Sequence, residues 1–153
     1  IGKDGAQHRI RASIGTPIHR IFKQFNIMCN DGDRIIIGGP MQGIAAYTLY
    51  HPIQPDTDTI IVQDQNEIPY VSDYPCINCG KCIRICPANV PVNLLVRYLE
   101  ANLYQEAADS FDLNSCIECG MCSFVCTSRI PLFQYIRLGK HELIELETEG
   151  THA

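Results

Sequence analysis

The chain has 153 residues and a formal net charge of −5; 46% of its residues are apolar and 19% are charged. This composition indicates one or two folded domains and excludes a disordered chain. The acidic balance and scattered Lys and Arg argue against nucleic-acid binding, and no apolar run is long enough for a direct membrane span. The chain begins at Ile1 without Met, so we expect it to be a piece of a longer protein.

Residues 1–66 are predicted to form a small α+β domain that is incomplete at its N-terminus. Apolar residues follow helical spacing over residues 17–25, and Thr16 is expected to cap this helix. Short β-branched runs flanked by turn residues predict strands at Arg34–Ile37 and 59–62.

A glycine-rich segment follows the first predicted strand and reads Gly38-Gly39-Pro40-Met41-Gln42-Gly43. Its spacing differs from the dinucleotide fingerprint, its proline removes a backbone donor, and no P-loop lysine follows it. We interpret the segment as a structural turn, with phosphate binding as the weaker alternative.

Eight of the nine cysteines form two copies of the pattern C-x2-C-x2-C-x3-C. In two-cluster ferredoxins, the first three thiolates of such a copy hold one [4Fe–4S] cluster and the fourth ligates the other cluster. The pattern predicts a first cluster on Cys76, Cys79, Cys82 and Cys126. It predicts a second cluster on Cys116, Cys119, Cys122 and Cys86. No catalytic residues that would process a substrate are evident.

Two other uses of these cysteines compete with iron–sulfur ligation. A disulfide scaffold suits a secreted protein, which nothing in this sequence indicates, and cysteines this close together make poor mutual bridges. A zinc site needs four ligands and would leave the third and fourth cysteines of each copy redundant. The ninth cysteine, Cys29, is interpreted as a small buried thiol, with a reactive or accessory role as the alternative.

Residues 67–153 are predicted to form an α-helical domain, and residues 64–75 are predicted to connect it to the first domain. The helical domain contains an internal repeat with an offset of forty residues. Gly80 matches Gly120, and Pro91 matches Pro131 at the start of a predicted helix. A further short helix is expected over 105–110. The predicted buried stripes comprise Leu94, Leu95, Tyr98, Leu99, Asn102 and Leu103 in the first copy, and Leu132, Tyr135, Ile136 and Leu143, continuing towards Leu146, in the second.

The combined motifs resemble a known family over about residues 10–145. They comprise Gly15-Thr16-Pro17-Ile18, the glycine-rich segment, and two cysteine motifs thirty residues apart, the second followed by Tyr135-Ile136-Arg137 and Lys140. This combination resembles the RnfC family of the Rnf electron-transport complex, whose relatives include the cobalamin reductase of propanediol-utilisation microcompartments. Thr127 stands where that family usually has proline, and we expect it to tune the loop without removing a ligand.

The resemblance implies that residues 1–66 are a soluble-ligand-binding β-grasp (SLBB) domain ahead of an α-helical ferredoxin domain. It also implies that FMN and NADH bind a preceding domain that is missing here. The expected function is to relay single electrons through two [4Fe–4S] clusters, with other members of an electron-transport complex, a ferredoxin or a flavoprotein as partners. The expected location is cytoplasmic and peripheral to the inner membrane. The alternatives are a soluble flavin/iron–sulfur reductase such as a cobalamin reductase, and a ligand-sensing module with structural clusters.

Overall fold

The computed structural model describes residues 1–72 and 74–151, including side chains up to residue 148. Asp73, inside the predicted connector, and the last two residues lie outside this range. The chain divides into two compact units, Ile1–Pro69 and Tyr70–Ala153. Within the described part of the chain, no helix combines the length and apolar character that a membrane span needs.

The first unit packs one helix against a small antiparallel sheet. Helix α1 (Ile18–Gln24) precedes strands β1 (Arg34–Ile37), β2 (Ile44–Ala46) and β3 (Ile60–Gln63). The strand order is β2-β1-β3, and Ile35 pairs with a β2 residue on one side and a β3 residue on the other. The buried core of this unit is formed by Ile18, Phe22, Ile35 and Val62. The observed mixture of helix and antiparallel sheet agrees with an α+β class.

The glycine-rich segment connects β1 to β2 as a tight hairpin. Gly38 has φ +94°, a left-handed conformation that glycine adopts without strain, and the Gly43 N–H donates to the Gly39 carbonyl at 2.7 Å. A side chain at Gly43 would collide with the Ile36 side chain and the Ile37 carbonyl. The segment therefore needs glycine because the two sides of the hairpin lie too close together for side chains at these positions.

One prediction about the first unit is wrong, and one strand was not predicted. Pro17, and not Thr16, occupies the N-cap position of α1, and no side chain caps the helix. The Thr16 carbonyl instead accepts a bond from the Ile53 N–H at 2.8 Å, which ties the chain ahead of the helix to a later segment. Strand β2 was not predicted because three residues are too few to show an alternating pattern of apolar and polar residues, and because Ile44 at its start is exposed.

Over the residues of the second unit that the structure describes, there are five α-helices. They are α2 (Lys81–Ile85), α3 (Val92–Glu100), α4 (Tyr104–Phe111), α5 (Met121–Phe124) and α6 (Leu132–Thr151). Single 3-10 turns lie at Gln65–Glu67 in the first unit and at Leu113–Ser115 in the second. Helices α3 and α6 pack on each other, and α4 contacts both.

The repeat seen in the sequence is also a repeat of backbone structure. Pro91 and Pro131 lie immediately before α3 and α6, where the missing proline N–H leaves no broken bond. Each proline is spanned by a tight turn: the Val92 N–H donates to the Val90 carbonyl, and Leu132 donates in the same way to Ile130, both at 2.8 Å.

The buried stripe of the helices differs in part from the predicted one. Leu94, Leu103 and Leu146 are exposed, although they follow helical spacing. The side of α3 that faces the core carries Val92, Leu95, Val96 and Leu99. Gly139 on α6 allows close packing here, because an added methyl group at Gly139 would collide with the Leu99 side chain. Leu99 and Gly139 are themselves related by the forty-residue offset.

Candidate iron–sulfur site

Each cysteine motif is folded by left-handed residues between its ligands. Gly80 and Gly120 have φ values of +71° and +74° and immediately precede the short helices α2 and α5. Two residues earlier, Asn78 and Glu118 have φ values of +57° and +55°. These turns reverse the chain between consecutive cysteines of one motif.

One pocket brings together cysteines from both motifs. Its lining includes Cys76, Cys79 and Cys82 of the first motif together with Cys126, the last cysteine of the second. Asn93 and Arg97 of helix α3 complete one side of this pocket. The four cysteines predicted for the first cluster therefore lie around the same space.

The other four cysteines are linked by their effects on one another. Burial raises the pKa of the Cys116 thiol, and the nearby Cys86 and Cys119 raise it further. Burial also raises the pKa of Cys122 to about 11, with added contributions from Cys116 and Cys119. Cys86, from the first motif, thus lies near Cys116 of the second.

The two groups adjoin each other in the interior of the helical unit. Cys82 and Cys122 occupy equivalent positions of the repeat, and each is 8% exposed. Cys82 is close enough to Cys122 to contribute to its raised pKa. Both thiols belong to the same hydrophobic core as helices α3 and α6.

Backbone N–H groups donate to the sulfur atoms around the first pocket. The Asn78 N–H donates to Cys76 Sγ at 3.4 Å. The pKa of Cys79 is lowered first by the Lys81 N–H and then by the Thr127 hydroxyl, which lies 3.8 Å from Cys79 Sγ. Such N–H and O–H groups favour the thiolate form, which is the form that ligates iron.

The donor set fits an iron–sulfur cluster in its chemistry. All eight thiols are free, since none forms a disulfide, and four of them line one pocket with N–H donors directed at sulfur. Fe–S clusters are held by four Cys thiolates and tuned by hydrogen bonds to sulfur. Among the described residues, no three Cys, His, Asp or Glu side chains are close enough together to hold a single metal ion.

Each cysteine loop is fastened to the helix that follows it, but by different chemistry. In the first loop, the Asn93 side-chain amide donates to Asn78 Oδ1 at 2.7 Å. In the second, Lys140 Nζ donates to the Cys116 carbonyl at 2.6 Å and to Glu118 Oε1 at 3.0 Å. Arg137 also faces Glu118, with Nε 3.6 Å from Oε2. We refer to these contacts as the amide latch and the charged latch.

Sequence reasoning did not assign these latches. The resemblance singled out Lys140 without a role, and Asn93 carried no signal. The sequence contains a clue in the repeat. Neutral Asn78 matches acidic Glu118, and acidic Glu100 matches basic Lys140, so the two copies differ in charge at these positions.

Cys29 belongs to the sheet unit and to neither cysteine motif. It is half-buried and packs against the core of that unit, so it is less buried than the small buried thiol that was predicted. Burial raises its pKa, and the nearby Asp33 raises it further. Its environment therefore disfavours the reactive thiolate.

Comparisons with known proteins support the site. Residues 75–130 match the family of 4Fe-4S dicluster domains. The chain is 41% identical over 109 residues to the C subunit of the proton-translocating ferredoxin:NAD(+) oxidoreductase complex of Clostridium ljungdahlii, covering 71% of this chain and 24% of that protein. It is 31% identical over 141 residues to the C subunit of the Na(+)-translocating ferredoxin:NAD(+) oxidoreductase complex of Acetobacterium woodii, covering 92% and 32%. The chain is a relative of the C subunits of ion-translocating oxidoreductase complexes.

A third such C subunit, from Methanosarcina acetivorans, is 32% identical over 139 residues, which cover 91% of this chain and 31% of that protein. The predicted family and the iron–sulfur character of this RnfC relative are confirmed. The chain spans about a quarter to a third of the length of these three relatives. The number of clusters, their individual ligands and the β-grasp assignment stay predictions.

Proposed function

We propose that this chain is an electron-transfer module that holds two [4Fe–4S] clusters. Cys76, Cys79, Cys82 and Cys126 would bind the first, and Cys116, Cys119, Cys122 and Cys86 the second. The observation that carries the proposal is the pocket in which Cys126 of the second motif joins three cysteines of the first. When bound, each cluster would supply one reversible one-electron couple.

The chain's own residues support a relay in three ways. Cys82 and Cys122 are both buried and close together, which supports two clusters held near each other. Backbone N–H groups around the sulfur atoms favour added negative charge. Cys79 is exposed, and the neighbouring Ile77 is also exposed, so the first site has an edge that a partner can approach.

The direct test is iron and sulfide analysis combined with EPR before and after dithionite, on protein prepared anaerobically. We expect about eight irons and eight sulfides per chain, and interacting signals of two reduced clusters. The Cys29→Ala variant is the matched control, because Cys29 lies outside both cysteine groups. Zinc without sulfide, or a protein that never accepts an electron, would contradict the proposal.

We further propose that the module works within a larger oxidoreductase of the kind its relatives' names describe. Electrons would enter from a flavin or nicotinamide site on another domain and leave to a partner protein of the complex or a ferredoxin, on the cytoplasmic side of the membrane. The test is to tag the full-length protein in its native cell and identify co-purifying proteins. Integral membrane proteins support this assignment, whereas a cobalamin enzyme or shell proteins would favour a soluble reductase.

A ligand-sensing module is the second candidate, favoured by a cavity of about 690 Å³ in the sheet unit. Apolar Phe22 and Ile53 line this cavity together with the polar Arg9 and Asp58. A mixture of apolar walls and a few polar groups is typical of small-molecule sites. Clusters that resist reduction at accessible potentials would support this candidate over the relay.

A further inference from the structure

Thr127 makes a contact that crosses the internal repeat. It follows Cys126 in the second motif, and its hydroxyl oxygen lies 3.8 Å from the sulfur of Cys79 in the first. Cys79 is the exposed thiol among the nine cysteines. The threonine is therefore placed beside the predicted ligand of the first cluster that is most accessible to solvent.

The repeat-related position in the first motif is occupied by a residue that offers no such contact. Pro87 follows Cys86 as Thr127 follows Cys126, and proline has neither a hydroxyl nor a backbone N–H to donate. Proline is also the residue that bacterial dicluster motifs carry after the fourth cysteine. The residue that matches Thr127 in the first motif can therefore donate no hydrogen bond to Cys119, the counterpart of Cys79.

We propose that Thr127 is a positioning residue whose hydroxyl donates a hydrogen bond to the Cys79 thiolate and raises the reduction potential of the first cluster alone. This inference rests on the proposed function, because it requires Cys79 to be a cluster ligand. An iron-bound thiolate carries no proton, so the hydroxyl must be the donor. A hydrogen bond to sulfur stabilises the more negative, reduced state more than the oxidised state.

The experiment is an EPR-monitored redox titration of anaerobically prepared protein and three variants. Thr127→Val removes the hydroxyl at nearly constant shape, Thr127→Ser keeps it, and Pro87→Thr introduces it at the repeat-related position. We expect T127V to lower one midpoint potential only. The expected fall in the equilibrium constant for reduction is threefold to tenfold, where tenfold corresponds to about 59 mV for one electron. T127S should match the parent protein, and P87T should raise the other midpoint.

Iron content separates failure of this inference from failure of the proposed function. Parent protein with fewer than two reducible clusters would overturn both. With about eight irons in the parent and in T127V, unchanged midpoints in T127V, equal shifts of both midpoints, or a T127S protein that behaves like T127V would overturn the inference alone. A P87T shift in the same midpoint that T127V moves would also overturn it.

Discussion

The two cysteine loops share a backbone but are fastened by different chemistry. Asn78 and Glu118 adopt nearly the same left-handed conformation, with φ values of +57° and +55°. The amide latch holds the first loop through neutral side chains, whereas the charged latch holds the second through Glu118 and Lys140. Asparagine tolerates this conformation better than glutamate does, so the second loop depends more on its latch. The comparison shows that the two copies of the repeat share the backbone conformation of the cysteine loops but hold these loops with different side-chain contacts.

The largest expected effect tests whether the two sites exchange their fourth ligand. If Cys126 serves the first site, C126A and C79A should each lose about four irons and leave the same EPR signal from the second cluster. C86A and C119A should leave the other signal, because both remove ligands of the second cluster. A C126A spectrum that matches C119A would show that each motif keeps its own fourth cysteine.

The next effect tests the difference between the latches. Lys140→Met removes a charge-assisted bond to the Cys116 carbonyl and the pair with Glu118, and should cost about 1–2 kcal/mol because the site is partly exposed. Asn93→Ala removes one neutral hydrogen bond and should cost about 1 kcal/mol. Denaturant titrations followed by cluster absorbance measure both losses.

High salt provides the contrast between the two variants. Salt should reduce the stability difference between K140M and the parent, because it weakens ion pairs near the surface. The N93A difference should stay constant. Lys23→Met, a change in the sheet unit, is the matched charge control. Equal salt dependence for K140M and N93A would remove the distinction between a charged and a neutral latch.

A smaller effect is expected where the helices of the two copies meet. Gly139→Ala places a methyl group against Leu99, and overpacking should outweigh the gain in helix propensity, for a net loss of about 1 kcal/mol. Leu99→Val should relieve the clash, so the double variant should lose less than the two single losses added together. Urea unfolding of all three variants measures this coupling. Strict additivity would show that the two residues do not compete for the same space.

The smallest effect on the clusters is expected from the charged network of the sheet unit. The Asn30 N–H has the largest effect on the pKa of Asp33 and lowers it. Burial acts in the opposite direction, and Lys3 lowers this pKa further. Lys3 also pairs with Asp64 at 2.6 Å. Because the pKa of Asp33 is lowered, its carboxylate stabilises the folded state at pH values above 3.8, the usual pKa of the group. This stabilisation is lost as the pH falls through the lowered pKa. The pKa of Lys3 is raised, first by Asp64, so its contribution is present below 10.5 and is lost at higher pH.

Asp33→Asn should therefore weaken the sheet unit at neutral pH and reduce its loss of stability in acid. Stepwise pH titration with NMR of the β3 methyl groups reads this unit separately from the clusters. Asp31→Asn, at a neighbouring exposed position, is the control. An unchanged acid profile in D33N would show that this network does not support the sheet.

Local patterns predicted much of the secondary structure. The β-branched run of β1 was located at its observed bounds, and the prolines before α3 and α6 marked where these helices begin. Strand β2 could not be found because a strand of three residues is too short to carry a periodic signal. Helical spacing placed Leu94 and Leu103 on the buried stripe, yet both are exposed, since only the neighbouring helices determine which side of a helix is covered.

The sequence by itself determined the chemistry of this protein. Cysteine spacing and the glycines within the motifs indicate iron–sulfur ligation, because ligand type and short loop length are local properties. Cysteine spacing also predicted Cys126 and Cys79 as ligands of one cluster. Tertiary structure alone decided that Thr127 reaches across the repeat and that Lys140 holds the second loop. These contacts join residues that are 22 to 48 positions apart, so they depend on how the two copies of the repeat fold and pack and not on any local pattern.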